Sequence, residues 1–228
     1  MSTSPKRHPT FRERVLLRLS TSCFVDGLWI GSVATGFDPV RTNRKVEEAL
    51  GTIRAYDPGR YKRLPRDLRR IWVKVQDGGN TGCYNPALDA CELDPRHLLR
   101  DDVTPSDIAS IIVHEATHAK LGRYGIGFSR KALRSRIEAA CRKQEYAFSE
   151  CLPVPQGEKI RDKLRRMDQV PDDFWSDRSS AKREQAGTEE ALVYLGVPRC
   201  FLPIARLARA VFRLIRRLMR SIRGLPAA

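Results

Sequence analysis

The chain has 228 residues, 41% of them hydrophobic and 30% charged, with a formal charge of +15 at pH 7. That length holds one good-sized domain with an extra tail and argues against a multi-domain machine. The charge suits an anionic partner, either nucleic acid or an acidic membrane surface, without choosing between them. No apolar run is long enough to span a bilayer, and the first residues lack the pattern of a secretory signal. Six cysteines, at 23, 83, 91, 141, 151 and 200, form no CxxC pair, and together these features predict a reducing, cytoplasmic setting.

Taken in order, residues 1–10 are polar and expected to fray, and Phe11 to Leu19 reads as a short basic helix. The apolar stretch from Cys23 to Ala34, with Gly27, Gly31 and Gly36 in or beside it, has no assignable period. Residues 1–37 are therefore expected as an N-terminal segment packed on the core of a domain at 38–200. Asp38-Pro39 opens a helix to about Tyr56, with Val46, Ala49, Leu50 and Ile53 on one face, and Asp57-Pro58 opens another to about Arg70. Ile71 to Gln76 alternates apolar and polar residues and ends at the turn Asp77-Gly-Gly-Asn80; a second extended stretch follows from Cys83 to Leu93. The two predict a hairpin or short antiparallel sheet. Such a strand is either a plain edge strand or the rim of a site, offering unpaired backbone groups to an extended peptide.

The next segment, Ile108 to Ala119, carries His114-Glu115-Ala-Thr-His118, an H-E-x-x-H pattern. Thr104 as N-cap, Pro105 at the first helical position and Asp107 as the capping-box acid predict a helix here, with Gly122 as its stop. Residues four apart lie one above the other on a helix, so His114 and His118 can present two imidazoles to one metal ion. Glu115 projects about 100° further round, where a carboxylate can take a proton from metal-bound water. Two of only four histidines occupy this pattern, on a helix whose Ile108, Ile111, Ile112 and Ala116 would bury it. A bound cation would compensate the polar groups there.

A catalytic zinc usually takes three protein ligands, so a third must come from elsewhere. After the loop Arg123 to Ser129, a helix is expected from about Arg130, capped by Ser129, to Cys151, with Leu133, Ile137, Cys141 and Phe148 as its apolar stripe. Glu138 and Glu145 lie along the margin of that stripe and call for a partner. They are roughly 10 Å apart along the axis, so one ion cannot readily take both. Glu138 is the expected ligand, Glu145 the alternative.

On these residues the sequence resembles the zincin metallopeptidases, in the gluzincin pattern of H-E-x-x-H followed by a helical glutamate. The resemblance covers about residues 71–153, with His114, Glu115, His118 and Glu138 at the matching positions. The run His114-Glu-Ala-Thr-His-Ala119, with Glu138-Ala-Ala-Cys141 and Glu145-Tyr-Ala-Phe148 after it, is also similar to uncharacterised bacterial proteins classed as metallopeptidases. It departs from the gluzincins in having Arg142 where an acid often stands four residues after the ligand glutamate, and the metzincin continuation H-x-x-G-x-x-H is absent. The resemblance implies a mostly helical α+β fold with a zincin-like core, one Zn2+, a peptide or protein substrate and Glu115 as general base. Tyr124, Tyr146 and His97 are candidate donors to the oxyanion.

The charged run from Glu158 to Leu195 reads as largely helical, with Trp175 and Tyr194 as packing residues. Residues 201–228 contain the cleanest amphipathic pattern in the chain. Over 203–223, Ile204, Leu207, Val211, Leu214, Ile215, Leu218 and Ile222 share one face, and arginines hold the other. Such a helix either lies on an anionic membrane surface or docks on the domain. No RNP, zinc-finger or helix-turn-helix signature supports specific nucleic-acid recognition. The competing class of function is a basic binding protein, associated with membrane or nucleic acid, whose metal is structural or whose motif is inert.

Overall fold

Asp26-Gly27 is the pivot of the first sheet element. Both residues have positive φ, 47° and 86°, as a two-residue hairpin turn of the primed type requires. The turn joins β1 (Thr21–Val25) to β2 (Leu28–Ser32), paired antiparallel with Val25 opposite Leu28. These coordinates are a computed structural model; the structure describes residues 8–76, 78–127, 131–170, 174, 176–204 and 207–208.

The unassigned Cys23 segment thus supplies two strands of a five-stranded mixed sheet of order β1-β2-β3-β5-β4. The other strands are β3 (Arg70–Val73), β4 (Gly82–Asn85) and β5 (Ala90–Leu93). β2 with β3 and β3 with β5 run parallel, whereas β4 runs antiparallel to β5. This corrects the expected short antiparallel sheet in which residues 71–76 pair with 83–93. Pro86 cannot donate to a ladder, so Cys83 to Leu93 folds into two strands around the turn at residues 86–89. The second of these, entirely buried, slots beside β3. A parallel β2/β3 pair needs a crossover, and α2 (Pro39–Tyr56), opened by the Asp38 cap and Pro39 as expected, runs between those strands.

Alternation decides what each face of the sheet buries. Leu28, Ile30, Ile71, Val73, Cys91 and Leu93 join Val46, Leu50 and Ile53 of α2 and Ile108, Ile111 and Ile112 of α6 (Pro105–Arg123) in the main core. Trp72, Ala90, Val33 and Leu88 face the other way, toward Leu16 and Leu17 of α1 (Phe11–Arg18). There the Trp72 indole donates to Ser20 Oγ at 3.1 Å.

The single helix expected from Asp57 to Arg70 is instead two short ones, α3 (Pro58–Tyr61) and α4 (Leu64–Asp67). Pro65 explains the break, because in a continuous helix its ring would strike the carbonyl of Tyr61. α5 (Pro95–Leu98) follows the sheet and leads into α6. α6 carries the full capping box, Thr104 Oγ1 accepting from the Asp107 amide while Asp107 accepts from the Thr104 amide. Thr104→Ala should therefore lower stability by about 1 kcal/mol in denaturant titration. The stop lies later than expected, since α6 runs past Gly122 to Arg123 and the left-handed residue is Gly125, at φ 75°.

α7 (Arg134–Cys151) starts after a 3-10 turn at Lys131–Leu133, and the proposed Ser129 cap lies outside the described residues. α8 (Val154–Asp168) returns against α7 so closely that a Cβ on Gly157 would sit 2.3 Å from the Ser149 carbonyl oxygen. Gly157→Ala should thus cost about 1–3 kcal/mol, a loss absent at the open Gly51. α9 (Asp177–Tyr194) follows, and a 3-10 turn at Arg199–Phe201 lies beyond it. Among the described residues no helix is long and apolar enough to cross a membrane. Trp175 and most of the amphipathic stretch at 203–223 lie outside the described residues.

Candidate metal centre

The site is made by two helices, α6 and α7, each contributing one ladder of side chains. Ser110, His114 and His118 recur every four residues along α6. Glu138, Cys141 and Glu145 stand three and seven residues apart along α7, so each set shares one face of its helix. The two ladders meet in opposite senses. Glu138 bridges the histidines, its Oε2 3.3 Å from Nε2 of His114 and its Oε1 3.3 Å from Nε2 of His118. Glu145, two turns on, reaches the other nitrogen of His114, Nδ1 to Oε1 at 2.5 Å, and accepts from Ser110 Oγ at 2.7 Å.

The bond from Nδ1 to Glu145 fixes the function of that ring. A proton held on Nδ1 leaves Nε2 with its lone pair exposed, aimed at the point where His118 Nε2, 3.0 Å away, and the Glu138 carboxylate also converge. The imidazole spans the two glutamates, so acids too far apart for one ion both act on His114. Two nitrogen lone pairs and a carboxylate gathered in a buried site repel one another unless a cation sits among them.

In the metal-free protein that cation is a proton. Burial opposes charging of His114, but Glu138 and Glu145 outweigh it and push its pKa up to about 10. Glu138, despite a burial penalty, is held down to about 2 by its bonds to His114 and His118. A metal fits the same place. Ligand bonds of about 2.0–2.1 Å in a tetrahedron imply ligand separations of about 3.3 Å. The observed 3.0, 3.3 and 3.3 Å match that spacing.

Cys141 adds a donor that the sequence suggested only as part of an apolar stripe. It is fully buried, and its Sγ forms with the histidine nitrogens of 114 and 118 a group whose atoms all lie within 4.8 Å of one another. This buried His-His-Cys group can hold a metal ion. Burial and then the neighbouring Glu138, Glu115 and Glu145 raise the thiol's pKa, so without a cation it stays protonated.

Glu115 is buried too, at 6% exposure, and feels the charges of His114, His118, Glu138 and Glu145. A Cβ on Gly82 of β4 would lie 3.6 Å from its Oε1. Burial raises the pKa of Glu115, against the lowering effect of His114 and His118. Of the candidate oxyanion donors, Tyr124 and Tyr146 are exposed, at 74% and 41%. His97 stands on α5 among the charges of Lys163, Arg100, Asp107 and Asp102. None of the three is brought to the site by a hydrogen bond among the described residues. Arg142 turns outward to Asp168, its Nε donating to Oδ1 at 2.9 Å.

Three contributors escape a reading of the sequence by motif: Ser110, Cys141 and Gly82. Ser110 and Cys141 were recoverable from helical spacing, four residues before His114 and three after Glu138. Gly82 depends on the sheet and has no local signal. All six cysteines are free thiols. Compared with protein-family models, with curated proteins and with solved structures, the chain matches none of them.

Proposed function

We propose that the protein is a zinc-dependent metallopeptidase of zincin type, with His114, His118 and Glu138 as ligands and Glu115 as general base. The observation that carries this reading is the convergence of two Nε2 atoms and one carboxylate on one point, with a second buried carboxylate beside it that is not part of the convergence. Zinc held at such a point would supply Lewis acidity toward a water and a peptide carbonyl.

The residues divide the remaining work. Glu138 orients both imidazoles, and Glu145 with Ser110 locks the His114 tautomer. Glu115, its pKa raised by burial, is tuned toward the range where a carboxylate accepts a proton and returns it to a leaving amine. β4 is an edge strand beside Glu115, and an extended peptide laid along it would bring its backbone past that carboxylate.

Glu115→Gln tests the assignment. The variant should keep the zinc content of the wild type, measured by plasma mass spectrometry, and lose peptide hydrolysis by about 100-fold or more. Undiminished hydrolysis in the variant, or none in the zinc-loaded wild type across a peptide library, would remove the peptidase reading. One observation favours the second reading, a structural metal: the sulfur of Cys141 forms a group with the same two histidine nitrogens, and together with Glu138 it would make four protein ligands, the mark of a closed site.

A further inference from the structure

Resting on the metal-site reading above, we propose that Cys141 is a fourth protein ligand whose sulfur occupies the coordination position that a reacting water would need, so that the resting centre is self-blocked. Three observations converge on this assignment. Cys141 stands on the same face of α7 as Glu138 and Glu145, both of which reach the α6 histidines. Its Sγ lies within 4.8 Å of nitrogen atoms of His114 and His118. It is sealed from solvent at 0% exposure, which leaves its neighbours in the protein as its chemical surroundings.

A cysteine that merely fills space has hydrophobic company, and free thiols are often buried for that reason. Cys141 instead stands near two imidazoles and under the charges of three carboxylates, Glu138, Glu115 and Glu145. The histidine nitrogens are shared by two triads, one closed by Glu138 and one by Cys141, and an ion drawing on both would have two nitrogens, one oxygen and one sulfur. That set is tetrahedral in number and of the donor types zinc prefers, with a Zn–S bond of about 2.3 Å against about 2.0–2.1 Å for Zn–N.

Closing the centre exchanges one ligand for another. The S–H bond breaks, its proton passes to solvent, the sulfur electron pair forms the new bond, and one water molecule leaves. Opening is the reverse, with a water returning and a proton recovered by sulfur. Hydrolysis is then open only to the fraction of molecules in which the sulfur has left, and removal of the thiol makes every molecule competent to bind water.

Cobalt(II) is the probe, because a cysteine sulfur on cobalt gives an intense near-ultraviolet charge-transfer band that nitrogen and oxygen ligands do not. Metal-free full-length protein is titrated with cobalt(II) and its spectrum compared with those of Cys141→Ser, Cys141→Ala and Cys83→Ser. The expected result is one cobalt per chain in all four proteins, with the band in the wild type and Cys83→Ser and its loss in both Cys141 variants. Absence of the band from the cobalt-loaded wild type overturns the proposal even if a variant fails to fold, and its presence is assigned to Cys141 by whichever of the Ser and Ala variants folds. One bound cobalt without the band, or a band that survives Cys141→Ala, overturns the sulfur ligand and leaves the His-His-Glu centre standing. No cobalt bound by the wild type overturns the metal site itself.

Discussion

Zinc at a thousandfold excess over its dissociation constant should stabilise the metal-free protein by about 4 kcal/mol, and His114→Ala or His118→Ala should abolish that gain. The argument is linkage: a metal that binds only the folded chain adds its binding free energy to folding, and both nitrogens that define the site belong to α6. Urea titrations with and without zinc measure it. Equal stabilisation of the wild type and the double histidine variant would remove the metal centre.

The same titrations in chelator carry a pH signature. His114 has its folded pKa raised from 6.5 to about 10, so its contribution is fully present below about 6.5 and is lost as pH rises toward 10. Glu138 has its pKa lowered from 4.5 to about 2, so its contribution is present above about 4.5 and is lost as pH falls through 2. Metal-free stability from this pair should therefore plateau between about 4.5 and 6.5 and decline on both sides. In His114→Ala the alkaline decline should disappear.

Glu138→Gln should weaken zinc binding by more than about 100-fold, and Glu145→Gln by about 10- to 100-fold, the usual range for a group that orients a ligand. Both carboxylates lie on α7 and both touch His114, but at opposite nitrogens. A weakened Glu138 loses a charged donor at the convergence point. A weakened Glu145 loses only the hold on the Nδ1 proton and the Ser110 hydroxyl. Competition with a chelator of known affinity reads both values, and the reverse order would transfer the ligand role to Glu145.

What could be read from the sequence follows from how far each signal travels along the chain. The caps of α2 and α6, the period of the α7 stripe and the i, i+4 spacing of the histidines are local, and the helices they predicted are present. Asp26-Gly27 was equally local, a dipeptide of the hairpin turn, yet the glycines around it obscured the strands it joins. The parallel pairing of β3 with β2 and β5 was not legible, because it depends on burial of both faces of a four-residue strand by helices distant in sequence. For the site, spacing marked the two histidines and the glutamates. That Glu138 would meet Nε2 and Glu145 would meet Nδ1 is set by the docking of two helices, which spacing alone does not encode.

The candidate ligand ladders occupy one stretch of chain, from Ser110 on α6 to Glu145 on α7, whereas β4, the strand beside Glu115, joins the sheet through its local partner β5, which pairs in parallel with the more remote β3, Ile71 beside Cys91. Local helical contacts form in microseconds, while parallel strand pairing waits on the closure of long loops. The order of folding events then has a direction: the helical hairpin can gather its candidate donors before Gly82 arrives against Glu115. On the metallopeptidase proposal, a full-length chain refolding from denaturant would hold its ion while the Glu115 carboxylate is still solvated, and the centre would mature last, when the sheet closes.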